Sequence, residues 1–309
     1  MTRIVFMGTP RFGELVLSAL IDRYEIVAVV SQPDRQAGRG RQVRTSAVTA
    51  FALQHGLSVL QPPALRQPVA LQMLVDLRPD VIVVAAYGKV LPASLLALPR
   101  YGCLNVHASL LPRHRGAAPI PAAILAGDAQ TGVSIIIMAE EVDSGPILGQ
   151  ASVRIAEDDT TASLTEKLGQ LGGKLLANDT LPRWLAGAIT PVQQGASPTP
   201  YARQLRREDG CIVWSESAEL IARRCRAFYP WPGAFSHWGD RELKVLRAHP
   251  QKVERSELAG TVVQLGTQAA VVTGSGLLVL DEVQLAGKRP LSAAEFLRGQ
   301  RAFVGSVLS

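Results

Sequence analysis

Three side chains suited to acyl transfer lie close together in this chain. Asn105 and His107 stand two positions apart in NVHASLLPRHRG, and Asp143 follows in GVSIIIMAEEVDSGPIL. A carboxamide polarises a carbonyl, an imidazole moves a proton, and a carboxylate orients and charges the imidazole. Together they suit the attack of an amine on an acyl carbon. An isolated histidine is more often a packed or solvated residue. Here, strand alternation puts Asn105 and His107 on one side, with Asp143 on a neighbouring loop, and that combination argues for catalysis. No second histidine or carboxylate stands at a metal-ligand spacing, so no metal is expected.

The elements that must hold these groups read as alternating strands and helices. Strands are expected at Arg3 to Gly8, Glu25 to Val30, Ser58 to Leu60, Asp80 to Ala86, Gly102 to Val106 and Gly132 to Met138. Between them lie helical periods opening at Thr9-Pro10, running from Ser46 to His55, and near Val69 to Leu77. Continuous Val and Ile runs separated by helices predict a mostly parallel, Rossmann-like α/β sheet with helices on both faces. In such a sheet the strand C-terminal ends and the loops beyond them line the ligand crevice, which is where Asn105, His107 and Asp143 would converge. A long helix follows, with Leu164, Leu168, Leu171 and Leu175 on one stripe and Thr160 or Thr161 as its cap.

Composition changes near Ala188. ITPVQQGASPTPYARQL reads as an extended linker, giving an N-terminal domain over 1–188, a linker over 189–205 and a second domain over 206–309. Short strands then dominate: Cys211 to Trp214, Ala234 to Trp238, Leu243 to Ala248, Gly260 to Gln264, Ala269 to Thr273 and Leu277 to Val283. With helices near Glu219 to Phe228 and Ala293 to Arg301, they predict a small C-terminal β-barrel of OB-like type.

A length of 309 residues fits two domains, and 47% hydrophobic content is ample for two cores. The net charge of +6 favours a polyanionic partner without saying which. Cys103, Cys211 and Cys225 are odd in number and widely spaced, which fits neither a disulfide framework nor a zinc site. The chain opens directly on an apolar strand with no leader, and no apolar run reaches a membrane-spanning length, so a cytoplasmic location is expected. MGTPRFG lacks the GxGxxG spacing of a dinucleotide fold and reads as a tight strand-to-helix turn.

Two further segments flank the expected catalytic edge. QPDRQAGRGRQVRTS places Arg35, Arg39, Arg41 and Arg44 in a Gly-containing loop just after the second strand, positioned to attract phosphate. AAYGKVLP ends the fourth strand in a Tyr87-Gly88 turn, where glycine lets backbone approach a planar ligand and the flanking apolar residues could form a slot. From these residues alone, a plain strand-to-helix turn is as good a reading.

NVH, SLLPRHRG and the strand-to-Asp143 unit, in this order and spacing, resemble the catalytic domain of the 10-formyltetrahydrofolate-dependent formyltransferases. QLRREDGCIVW, RRCRAFYPWPGAF and LAGKRPLSAAEFL resemble the C-terminal module of the methionyl-tRNA formyltransferase branch, so the likeness covers nearly the whole chain. The resemblance implies catalysis by Asn105, His107 and Asp143. It implies a pocket for the formyl donor 10-formyltetrahydrofolate made by Tyr87, Gly88, Val90, Leu91, Ser109, Leu110, Leu111, Pro112, Ala139, Glu140 and Glu141. It also implies initiator methionyl-tRNA as partner, met by Arg35, Arg39, Arg41, Arg44, Arg206 and Arg207, with Arg223, Arg224 and Arg226 as a further basic stripe. A monomer away from membranes is expected. The basic loop and the C-terminal module argue against a small amine as acceptor, such as glycinamide ribonucleotide or an amino sugar nucleotide. The intact triplet argues against an RNA-binding protein with a degenerate catalytic domain. Two positions depart from the family pattern: His114 replaces the usual Trp and Pro121 the usual Gln. No catalytic role is assigned to His114, and Trp231, framed by prolines, reads as structural.

Overall fold

The computed structural model of the chain describes residues 2–37, 42–253 and 255–309, with backbone alone at 35–37 and 42–44. The chain gathers into two compact units. One comprises residues 1–119, 130–154 and 163–203, and the other 120–129, 155–162 and 204–309.

The first unit contains β1 (Arg3–Gly8), β2 (Glu25–Val30), β3 (Arg35–Ala37), β4 (Gln42–Arg44), β5 (Val59–Leu60), β6 (Val81–Ala85), β7 (Cys103–His107), β8 (Gln130–Ile137) and β9 (Ile147–Arg154). Seven of these form one sheet in the order β5-β2-β1-β6-β7-β8-β9, while β3 and β4 pair only with each other. Pairing from β5 through β7 is parallel, as the continuous apolar runs require. All five residues of β6 are buried. Helices α1 (Arg11–Ser18), α2 (Ala47–Gln54), α3 (Pro68–Asp76) and α4 (Ala93–Leu96) follow successive strands, and the Ser46 hydroxyl caps α2 by accepting from Thr49 N.

Two features of this sheet differ from the sequence expectation. The strand β9 is an addition to it; its exposed alternate residues Gln150, Ser152 and Arg154 weaken the apolar signal. β8 runs antiparallel to β7, with Leu104 opposite Ile137 and His107 opposite Ser134, and β9 pairs antiparallel to β8. The loop after β8 therefore leaves the sheet beside the start of β7, and Asp143 reaches the site only because the loop turns back. The expected loop over Gln32 to Ser46 also contains the β3–β4 hairpin, with Arg35 opposite Arg44. Arg39 and Arg41 lie outside the described residues.

The helix α5 (Pro119–Ala126) is followed, after β8 and β9, by α6 (Thr161–Leu175). Of the expected leucine stripe on α6, Leu164 and Leu168 are buried, while Leu171 and Leu175 are half-buried. Glycines make the closest approaches instead. A Cβ on Gly169 would come within 2.6 Å of Leu15, and one on Gly172 within 2.7 Å of Val106 in β7. The helix continues through a π turn (Leu176–Thr180) into α7 (Leu181–Leu185).

The second unit is built on α8 (Ala218–Ala227), β10 (Ala234–Trp238), β11 (Arg241–Gln251), β12 (Val262–Leu265), β13 (Gln268–Val272), β14 (Leu277–Leu285), β15 (Leu291–Ser292) and α9 (Ala293–Gly299). The strands form an antiparallel sheet in the order β10-β11-β14-β13-β12, with β15 added to β14. Leu243, Val245, Leu278, Leu280 and Val283 pack against Ile221 and Cys225 of α8 and Phe296 of α9. Residues 211–214, expected as a strand, make only a single bridge from Cys211 to Phe235, and a 3₁₀ turn (Arg207–Gly210) precedes them. Trp214 is buried there because its Nε1–H donates to Ser236 Oγ at 2.9 Å.

Candidate active site

Strand β7 carries two of the three residues singled out from sequence, Asn105 and His107. It is buried on both sides and paired with β6 and β8, so Asn105 and His107 project from a rigid base two residues apart. Gly172 of α6 backs Val106 between them.

Asp143 arrives from the β8–β9 loop in a left-handed conformation (φ 53°), uncommon for a residue with a side chain. Gly145 makes the return possible, since a Cβ there would collide with the Ile137 carbonyl. The carboxylate gathers three groups: Asn105 Nδ2 donates to Oδ1 at 3.1 Å, Gly116 N donates to Oδ2 at 2.9 Å, and His107 Nδ1 lies 3.5 Å from Oδ2. The His107 and Asp143 side chains are 5% and 10% exposed, which strengthens their mutual field relative to water. On its other side, His107 Nε2 faces the His114 carbonyl at 3.1 Å. The triplet read from sequence is thus assembled, with Asp143 as its hub.

The SLLPRHRG loop is fixed internally. Ser109 Oγ donates to Arg113 O, Ser134 Oγ donates to Ser109 O and accepts from Leu111 N, and Gln150 Nε2 donates to Leu111 O. Leu110 packs over Gly132, where a Cβ would come within 2.6 Å of it. The Ser109 hydroxyl is therefore spent on the loop itself, and Leu111 is buried while Pro112 is half-buried. Arg115 serves as a backbone anchor: its guanidinium donates to Gln194 Oε1 and to Gly195 O.

At the neighbouring turn, Tyr87 O accepts from Thr9 Oγ1 and Gln32 Nε2. Gly88 has φ 81°, and a Cβ there would stand 2.5 Å from Gln32 Nε2, so only glycine fits. Tyr87 itself is buried with an unpartnered hydroxyl, pushed up to about 12 by burial. Its side chain belongs to the core, and what this position presents outward is backbone. Leu91 is buried, Val90 is 63% exposed, and Ala139, Glu140 and Glu141 are all exposed on the Asp143 loop. Cys103 is buried in β7 and its thiol is pushed up to about 12 by burial, which excludes a thiolate nucleophile at neutral pH.

The composition of residues 194–202 reads as plain linker, yet they are bound to the site. Gln194 Nε2 donates to Asp143 O and Gly145 O, Thr199 Oγ1 accepts from His114 N at 2.8 Å, and Ala202 pairs with Arg115 O and Ala118 N. Tyr201 is 56% exposed on this strap, and its hydroxyl is pushed up by burial and by the Asp143 charge. Nothing in a Pro- and Ser-rich composition signals these partners.

Of the basic residues, Arg35 and Arg44 lie in the hairpin backbone, and Arg206 and Arg207 are exposed in the second unit. Arg207 pairs with Glu242 at 2.5 Å and stands over the Phe235 ring. The further stripe is not free: Arg223 donates to Leu125 O, Arg226 donates to Asp159 O, and Arg224 pairs with Glu216. Trp231, expected to be structural, is 55% exposed. Among the described residues no cluster of three or more His, Cys, Asp or Glu is placed to hold a metal, and no helix is long and apolar enough to cross a membrane.

Comparison with known proteins gives the family and the fold. The formyl transferase family profile matches residues 2–180, and the profile for the formyl transferase C-terminal domain matches residues 204–301. The chain is 47% identical to a methionyl-tRNA formyltransferase from Roseiflexus castenholzii, covering 99% of this chain and 98% of that one. Among solved structures, the N-formyltransferase of Helicobacter canadensis, in complex with folinic acid and dTDP-3-aminofucose, shares the fold. Its TM-score is 0.68 at 13% identity, over 91% of this chain and 98% of that one. HypX from Aquifex aeolicus matches with TM-score 0.66 at 16% identity over 98% of this chain, which spans about half (48%) of its length.

Proposed function

The chain belongs to the methionyl-tRNA formyltransferases, and from that premise we propose that it transfers the formyl group of 10-formyltetrahydrofolate to the α-amine of initiator methionyl-tRNA. The observation that carries this reading is Asp143 holding Asn105 and His107 together on one strand face. The folate donor fits the residues present: backbone at the Tyr87-Gly88 turn and the Ala139–Glu141 loop, with apolar Val90 and Val142 exposed beside it. That donor supplies the formyl carbon, and the aminoacyl amine is the nucleophile.

Asn105 Nδ2 donates to the oxygen that becomes negative as the amine adds, an oxyanion contact that strengthens as charge develops. Protonated His107 shares that oxygen and then protonates the departing folate nitrogen. Asp143 holds both groups in place, balances the imidazolium, and accepts the proton released by the amine, directly or through water. Atoms balance without an acyl-enzyme: a C–N bond forms to the amine, one breaks to folate, and one proton crosses between the two nitrogens. The basic loop around Arg35, Arg39, Arg41 and Arg44, with Arg206 and Arg207, contacts the tRNA backbone. In this reading the catalytic domain spans 1–188 and the tRNA-binding module 206–309, and the protein works as a cytoplasmic monomer.

The test is competition with formyl-labelled 10-formyltetrahydrofolate, initiator Met-tRNA and small amines, including glycinamide ribonucleotide and an amino sugar nucleotide. Label is expected on Met-tRNA. Label on a small amine alone overturns the assignment.

A further inference from the structure

We infer that Thr199 is a positioning residue that selects which ring nitrogen of His107 moves the proton, acting through the main chain of His114. The inference rests on the catalytic role given to His107 and goes beyond it to the tautomer.

The starting point is His114, which is buried and left-handed (φ 58°) without being glycine. That kink faces its two backbone groups toward different partners. The N–H donates to Thr199 Oγ1 at 2.8 Å, while the carbonyl lies 3.1 Å from His107 Nε2. A carbonyl oxygen can only accept, so the hydrogen in this contact belongs to Nε2. The other nitrogen, Nδ1, lies 3.5 Å from Asp143 Oδ2, longer than an ordinary hydrogen bond. With Nε2–H committed to His114, Nδ1 is the nitrogen that gains and loses a proton, and it faces the same carboxylate as Asn105.

Thr199 is itself held. Ser197 Oγ donates to Thr199 O at 2.9 Å, Arg115 donates to Gln194 Oε1 and Gly195 O, and Ala202 pairs with Arg115 O and Ala118 N. The strap is thus bound at both ends, with Thr199 between them on the peptide that carries the His114 N–H.

The test combines histidine ring ¹⁵N NMR of the free protein with steady-state kinetics. Wild-type His107, assigned by its absence in His107→Gln, is expected as the Nε2–H tautomer when neutral. Thr199→Val, which keeps the shape and loses the acceptor, is expected to give a mixture of tautomers. It should lower kcat about tenfold while each KM stays within about twofold, because the imidazolium can then release its proton from either nitrogen and only Nδ1 faces Asp143. Thr199→Ser restores both the tautomer and the rate. A wild-type Nδ1–H tautomer overturns the inference even if Thr199→Val fails to fold. So does Thr199→Val with an unchanged ring spectrum and an unchanged kcat. The spectrum is read without substrates, so it stands or falls separately from the identity of the formyl acceptor.

Discussion

Asp143 is the residue on which the site turns. It spends one oxygen on the Asn105 amide and the other on Gly116 N and the His107 side, while its own carbonyl accepts from Gln194. Its left-handed backbone is a local cost of order 1–3 kcal/mol, offset by this set of donors. Because Asp143 orders both Asn105 and His107, removing it disables a unit. His107→Ala and Asp143→Ala are each expected to lower single-turnover formyl transfer by about a hundredfold or more, about 2.7 kcal/mol, with tRNA binding nearly intact. The double variant should be little worse than either single one, since the two act together. Near-normal turnover by Asp143→Ala would remove the carboxylate from the mechanism.

The elements succeed by close approach. Helix α6 reaches β7 through glycine, and Gly172 leaves no room beside Val106, the residue between Asn105 and His107. Gly172→Ala pits a gain in helix propensity against overpacking onto a stiff β-branched side chain. Overpacking wins, at about 1–3 kcal/mol of lost stability. A chemical denaturation midpoint should fall, and formyl transfer should slow at temperatures where the variant is still folded, because β7 is displaced. A midpoint at or above that of the wild type would show that α6 has room to shift. In the second unit, the arginines of α8 illustrate the same economy: Arg223 and Arg226 satisfy the carbonyls of Leu125 and Asp159. Burial pushes the Arg226 guanidinium below its usual range, a sign of a structural post.

For the molecule as a whole, a net charge of +6 is a modest attraction, and its effect on a polyanion depends on where the arginines stand. Arg223, Arg224 and Arg226 are engaged within the second unit and Arg207 pairs with Glu242, so the proposed phosphate contacts rest first on the loop arginines and the exposed Arg206. Replacing Arg41 and Arg44 together by Ala should make tRNA binding less salt-dependent, by about one log–log unit for each phosphate no longer neutralised. Turnover should fall too, through poorer placement of the amine, while folate binding stays unchanged. An unchanged salt slope and rate would return both residues to ordinary solvated surface. A folate defect with normal tRNA binding would mean that the loop closes over the donor instead.

Local pattern in the chain sufficed for the apolar strands β1, β2, β6 and β7, for a helix beginning near Ser46, and for singling out Asn105, His107 and Asp143. Hydrophobic period and residue chemistry are written within a few positions of each other, so they can be read without a fold. Tertiary structure alone decided the antiparallel turn of β8 and β9, the kink at His114 and the capture of the strap. Strand direction depends on which edge is left to pair, and β9 alternates too weakly to announce itself. Arg115 finds Gln194 79 residues away, and the His114 N–H finds Thr199 85 residues away. A hydrogen bond over that separation exists only once packing has brought its ends together. Composition therefore described residues 189–205 as a linker, and the fold bound part of them to the loop whose His114 carbonyl meets His107.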